Sequence, residues 1–145
     1  MHYLIAVLAG LVLPVQVAFN SRLTSFTGSP IVSSLVSFLV GTLALILYTL
    51  TNPGMLQQAY VQVWKAPLYA WFGGLIGAFF IATSLVIAPK LGLAMSICLV
   101  IAGQLTMSVL MDQFGWFGFD VRPLTIAKGF GLMLVFAGIV LIKMD

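Results

Sequence analysis

Apolar residues run along this chain in five long blocks, at about 3–20, 30–50, 68–88, 92–111 and 124–142, separated by short polar or turn-forming stretches. At a rise of about 1.5 Å per residue, each block is long enough to cross the hydrocarbon of a bilayer as a helix. The second opens after Ser29, suited to an N-cap, with Pro30 at the first helical position, where a missing N–H costs nothing. The first begins almost at Met1, as a signal peptide would, but it carries no basic n-region and no A-x-A site follows it, so it reads as a mature helix. Thr51 to Pro67 begins with the turn signal Asn52-Pro53-Gly54. It then sets Leu56, Tyr60, Val63 and Trp64 at helical spacing against Gln57, Gln58, Gln62 and Lys65. This predicts an amphipathic turn or two at the membrane interface, with Tyr60, Trp64, Tyr69 and Trp71 as an aromatic belt. The pattern as a whole predicts an all-α membrane protein, one five-helix domain over residues 1–145, with no room for an extramembrane domain.

The polar residues inside these blocks are few. Gln16 and Asn20 lie four apart, and Gln104, Ser108 and Asp112 repeat at the same interval, so each set shares one helix face. An unpaired carboxamide in hydrocarbon costs several kcal/mol, so these faces should turn to protein, water or a ligand. Gln104 falls near mid-span, at a depth close to that of Gln16 if both helices cross fully. A central cavity lined by Gln16, Asn20, Gln104 and Ser108, walled by Trp71, Phe79 or Phe80, would offer amide donors and acceptors to a ligand. The alternative is that the amides only join neighbouring helices. Ser33, Ser34, Ser37, Thr83 and Ser84 are expected to bond the carbonyl one turn back. Asp112, the one carboxylate near a span end, either pairs with Arg122 or Lys128 as a gate or ion-coupling group, or fixes the following turn through backbone amides. Small residues at Ala70, Gly73, Gly74, Gly77 and Ala78, and again at Gly131 and Gly138, form ridges where another helix can approach, inside the subunit or at a dimer seam.

Composition fixes the solvent. With 62% hydrophobic and 6% charged residues, this chain cannot hide its apolar surface from water, and lipid must surround it. The net charge of +3 is spread singly, with no basic run for nucleic acid. His2 stands alone and Cys98 lies in an apolar block, so no metal cluster and no intrachain disulfide is expected. Neither a phosphate-binding glycine loop nor a nucleophile with a paired base occurs, which argues against an enzyme and against a cofactor. No Glu occurs and no Asp lies mid-span, so a proton relay through a central carboxylate has no group to run on. Counted by side, Lys65, Arg122 and Lys128 stand against Arg22, Lys90 and Lys143. The bias that fixes orientation is missing. With an odd number of spans, the even count suggests two copies inserted in opposite directions as an inverted repeat, unless Lys128, Asp112 or Asp120 tips the balance.

Several of these residues occur in a familiar combination: Gly10-x-x-x-Pro14-x-Gln16-x-x-x-Asn20-x-x-Leu23, Ser37-Phe38-x-x-Gly41-Thr42, and Trp71-x-Gly73-Gly74-x-x-Gly77-Ala78-Phe79-Phe80. Ala102-Gly103-Gln104, Asp112-x-Phe114-Gly115 and the spacing of Gly131 and Gly138 complete it. Over essentially its whole length the chain resembles the YdcZ-like family of small bacterial membrane proteins, in the drug/metabolite transporter superfamily. The resemblance implies a five-helix subunit similar to half of a ten-helix EamA-type transporter, placed in the bacterial cytoplasmic (inner) membrane and paired in opposite orientations. It also marks Gln16, Asn20, Ser37, Gln104 and Asp112 as the best-matched polar positions. The expected function is export of a small metabolite or drug-like molecule by alternating access, in an antiparallel homodimer of ten helices. The substrate is expected to be neutral, zwitterionic or weakly cationic. A narrow channel for an ion or small solute, and an accessory membrane subunit, are the alternatives.

Overall fold

The computed structural model describes residues 1–144, apart from the side chains of Gln58 and Val61. Among the described residues six α-helices run in the order α1 (His2–Thr27), α2 (Pro30–Leu50), α3 (Pro53–Gln62), α4 (Gly73–Leu91), α5 (Leu93–Phe114) and α6 (Ile126–Met144). Among the described residues there is no strand. Among them, five helical segments are long and apolar enough to cross a membrane: α1, α2, the stretch Leu68–Leu91, α5 and α6. Few side chains are buried, and the buried hydrophobes are Val17, Ile81, Leu85, Ala88, Ala102 and Ile139. The large apolar residues of every spanning helix are mostly exposed. In water this would be unstable, and in lipid it is what a spanning helix presents outward.

Two compact units make up the chain, Met1–Pro89 and the residues from Lys90 onward. In the first, α1 and α2 pack side by side as a tight hairpin. α1 runs on to Thr27, seven residues beyond the apolar block, and there the Thr24 and Ser25 hydroxyls donate to the Asn20 and Arg22 carbonyls of the helix itself. Gly28 stops it, with φ 70° in the left-handed region and its N–H donating to the Thr24 carbonyl at 2.9 Å. One residue later the Ser29 hydroxyl accepts from the Val32 N–H, and Pro30 opens α2 where the sequence places it. Within α1, Pro14 removes the bond its nitrogen would have donated to the Gly10 carbonyl.

The second connector holds α3 and the 3-10 turn Val63–Lys65, so the stretch expected to be an amphipathic turn or two is helical; the side chain of Gln58, one of its expected polar residues, lies outside the described ones. After Pro67 a 3-10 turn, Leu68–Phe72, leads into α4. Here the expected third block, 68–88, divides: its first five residues are wound as 3-10, and the α-helix proper runs three residues further, through Pro89. The Phe38 ring of α2 lies over Gly77 of α4, where a Cβ would meet it at 3.4 Å. Gly77 therefore serves the inside of the subunit, whereas a methyl group at Gly73 or Gly74 would meet nothing within 4 Å.

In the second unit, α5 packs on α6. Gly92, at φ 80°, is the N-cap of α5, and its carbonyl accepts from the Ser96 hydroxyl at 2.7 Å. At the other end Gly115, at φ 61°, turns the chain out of the helix with its N–H on the Met111 carbonyl. The fourth and fifth blocks, expected at 92–111 and 124–142, thus run as Leu93–Phe114 and Ile126–Met144, each ending a little later than the apolar pattern does.

Candidate functional site

Polar side chains gather at two places, one in each unit. In the α1–α2 hairpin, Gln16 and Ser37 meet in a cleft of about 230 Å³, lined also by Phe38, Gly41, Thr42 and Leu45. The hairpin places Gln16 opposite the stretch from Ser37 to Leu45, so one carboxamide faces two hydroxyl-bearing residues across a floor of glycine and phenyl ring. Gln16 is half-buried and makes no hydrogen bond among the described residues, leaving its carboxamide free for a ligand. One turn along the same face, Asn20 is 6% exposed, and its Nδ2 has no partner among the described residues.

The serines differ in their bonding. Ser34 donates to the Pro30 carbonyl at 2.8 Å and Ser84 to the Phe80 carbonyl at 2.8 Å, the back-bonding expected of hydroxyls in apolar helices. Ser33 does something else. Fully buried, it shares a 2.6 Å hydrogen bond with the Thr27 hydroxyl and so joins the end of α1 to the start of α2. Sequence reasoning did not single out Thr27, because its partner is set by the turn rather than by helical spacing. Trp71 is not brought to the cleft. Its ring lies 6.0 Å from that of Trp64 and both are exposed, as members of an interfacial belt would be.

In the second unit, Ser108 and Asp112 line a cleft of about 130 Å³ with Met111 and Phe119. Asp112 Oδ2 stands 3.8 Å from Lys128 Nζ, and both side chains are a little over one-third exposed. Of the two roles open to Asp112 in the sequence, the structure gives the carboxylate a basic partner, while the following turn is held by other groups. The Arg122 N–H donates to the Asp112 backbone carbonyl at 2.8 Å, the Leu124 N–H donates to Gln113 Oε1, and Lys128 Nζ donates to the Arg122 carbonyl at 3.4 Å. Phe119 would not be found by helical spacing, since it returns to the cleft through the bend at Gly115. Gln104, two turns before Asp112 on the same helix, is exposed and has no hydrogen bond among the described residues. Among the described residues no group of His, Cys, Asp and Glu could hold a metal ion.

Five apolar helices with bare hydrocarbon exteriors, carrying amides, hydroxyls and, among the described residues, a single ion pair, define a multi-pass α-helical membrane protein. The chain belongs to the YdcZ family of the drug/metabolite transporters: the family profile described as "Putative inner membrane exporter, YdcZ" matches residues 1–141. It is thus a multi-pass inner-membrane protein of an exporter family. Neither the curated proteins nor the solved structures yield a match.

Proposed function

We propose that the chain exports a small metabolite or drug-like molecule by alternating access as an antiparallel homodimer, with a substrate site between the two inverted copies near mid-membrane. The observation that carries this reading is Gln104. A mid-span carboxamide that is exposed and without a hydrogen bond among the described residues is costly against lipid, and a second copy or a solute would relieve it. Gln16, Asn20 and Ser37 from the first unit and Gln104 and Ser108 from the second supply neutral donors and acceptors. Such a set suits a polar, uncharged or zwitterionic solute, with Asp112 as the gating or ion-coupling group. The bare faces of Gly73 and Gly74 in α4, and of Gly131 and Gly138 in α6, are where a second helix could approach without losing side-chain contacts already made. The even division of Lys and Arg between the two sides supports opposite insertion.

Orientation tests the reading. Gln57→Cys in a Cys98→Ala background, labelled with an impermeant maleimide from each side of the membrane, should react about equally from both sides. Labelling from one side only overturns the antiparallel pair, as would crosslinks found only between parallel copies.

A further inference from the structure

The cleft at the end of α5 holds a charge with spare capacity. Asp112 is the only acidic residue within a helix among the described residues. Its carboxylate accepts no hydrogen bond among them, and its ion-pair partner Lys128 stands at 3.8 Å. A charge-assisted N–H···O bond spans about 2.8 Å, so the ammonium lies roughly one ångström too far to make one. Lys128 is held back there by its bond to the Arg122 carbonyl. A carboxylate with open lone pairs thus borders about 130 Å³ of accessible space, which the exposed Ser108, one turn away, and Phe119 also line. Carboxylate, hydroxyl and aromatic face together are what a small ammonium group requires.

We propose that this cleft binds a small organic cation carrying a primary or methylated ammonium group, and that Lys128 is a tethered competitor which the ligand displaces from Asp112. The Asp112 carboxylate takes the charge, the Ser108 hydroxyl accepts an ammonium N–H, and the Phe119 ring covers the methyl or methylene groups. The volume admits a head group of a few heavy atoms. The site does not depend on antiparallel pairing or on transport, because binding is read on solubilised protein.

The test is equilibrium dialysis of labelled methylammonium against the purified full-length chain in detergent, with unlabelled methylammonium as competitor. Wild type should bind saturably. Asp112→Asn should weaken binding about tenfold or more, the factor expected for losing a charge-assisted contact. Lys128→Gln, which leaves the carboxylate in place and removes its competitor, should tighten binding about threefold or more. Absence of saturable binding to wild type overturns the site, and so does Asp112→Asn binding as wild type. If Asp112→Asn fails to fold, Lys128→Gln decides alone: binding no tighter than wild type overturns the displacement.

Discussion

The α1–α2 and α5–α6 hairpins solve the same problem, holding two apolar helices side by side at a turn, with opposite chemistry. In the first, two residues, Gly28 and Ser29, separate the helices, and the corner is tied by neutral hydroxyls, Thr27 to Ser33, with Ser33 wholly buried. In the second, residues 115–125 intervene, and the corner is tied by the Arg122 N–H on the Asp112 backbone carbonyl, by the Leu124 N–H on the Gln113 side chain and by an ion pair whose side chains are 36% and 39% exposed. Burial decides between them. Where water is shut out, a hydroxyl pair is worth keeping because breaking it strands a buried polar group. Where water enters, an ion pair is inexpensive to form and contributes little to stability. The charged corner is therefore free to exchange partners, and the neutral one is not.

The comparison can be broken in order of expected effect. The largest concerns the two unbonded glutamines: Gln16→Ala and Gln104→Ala should each lower flux in reconstituted vesicles about tenfold while the chain still folds, and unchanged flux would leave these amides structural. Next come the two turns. Gly115→Ala should destabilise by about 2–3 kcal/mol, because the residue sits at φ 61° and its new Cβ would meet Val121 Cγ2 at 2.8 Å and the Phe119 carbonyl at 3.1 Å. Gly28→Ala, at φ 70° with open space around it, should lose only about 1 kcal/mol. Unfolding midpoints in mixed detergent micelles would rank the two. Ser33→Ala should cost about 1 kcal/mol by the same measurement, since it removes the bond between α1 and α2 while the Thr27 hydroxyl keeps its contacts with the Ser29 backbone. Smallest of all, Asp112→Asn should change stability by less than about 1 kcal/mol, given the exposure of the pair.

The five helices were legible because lipid enforces one rule on every spanning residue, and a long apolar run has only one way to satisfy its backbone. The start of α2 was legible to the residue, since Ser29 and Pro30 act locally. Helix ends set by glycine were not. α1 passes through Ser21, Arg22, Thr24 and Ser25, which the hydropathy pattern treats as a connector, and it stops only where Gly28 adopts a positive φ. The first five residues of the third block wind as 3-10 after Pro67, which an apolar period cannot reveal. At the sites, Gln16 and Asn20, or Ser108 and Asp112, could be paired from spacing along one helix. The residues that share a cleft across a hairpin, Thr42 with Gln16 and Phe119 with Asp112, depend on turn length and register, and single-helix spacing carries neither.

The Trp64–Trp71 pair has an optical consequence. Two indoles 6.0 Å apart, both exposed, one in the second connector and the other in the 3-10 turn that follows it, share excitation and respond together to a collisional quencher. In a vesicle carrying antiparallel pairs, one copy's indole pair would lie at each leaflet. Iodide added outside would then extinguish about half of the emission from these two residues, and bursting the vesicle would release the rest. With Trp116 replaced by Phe, the chain would thus contain its own fluorescent reporter of insertion, readable without a label.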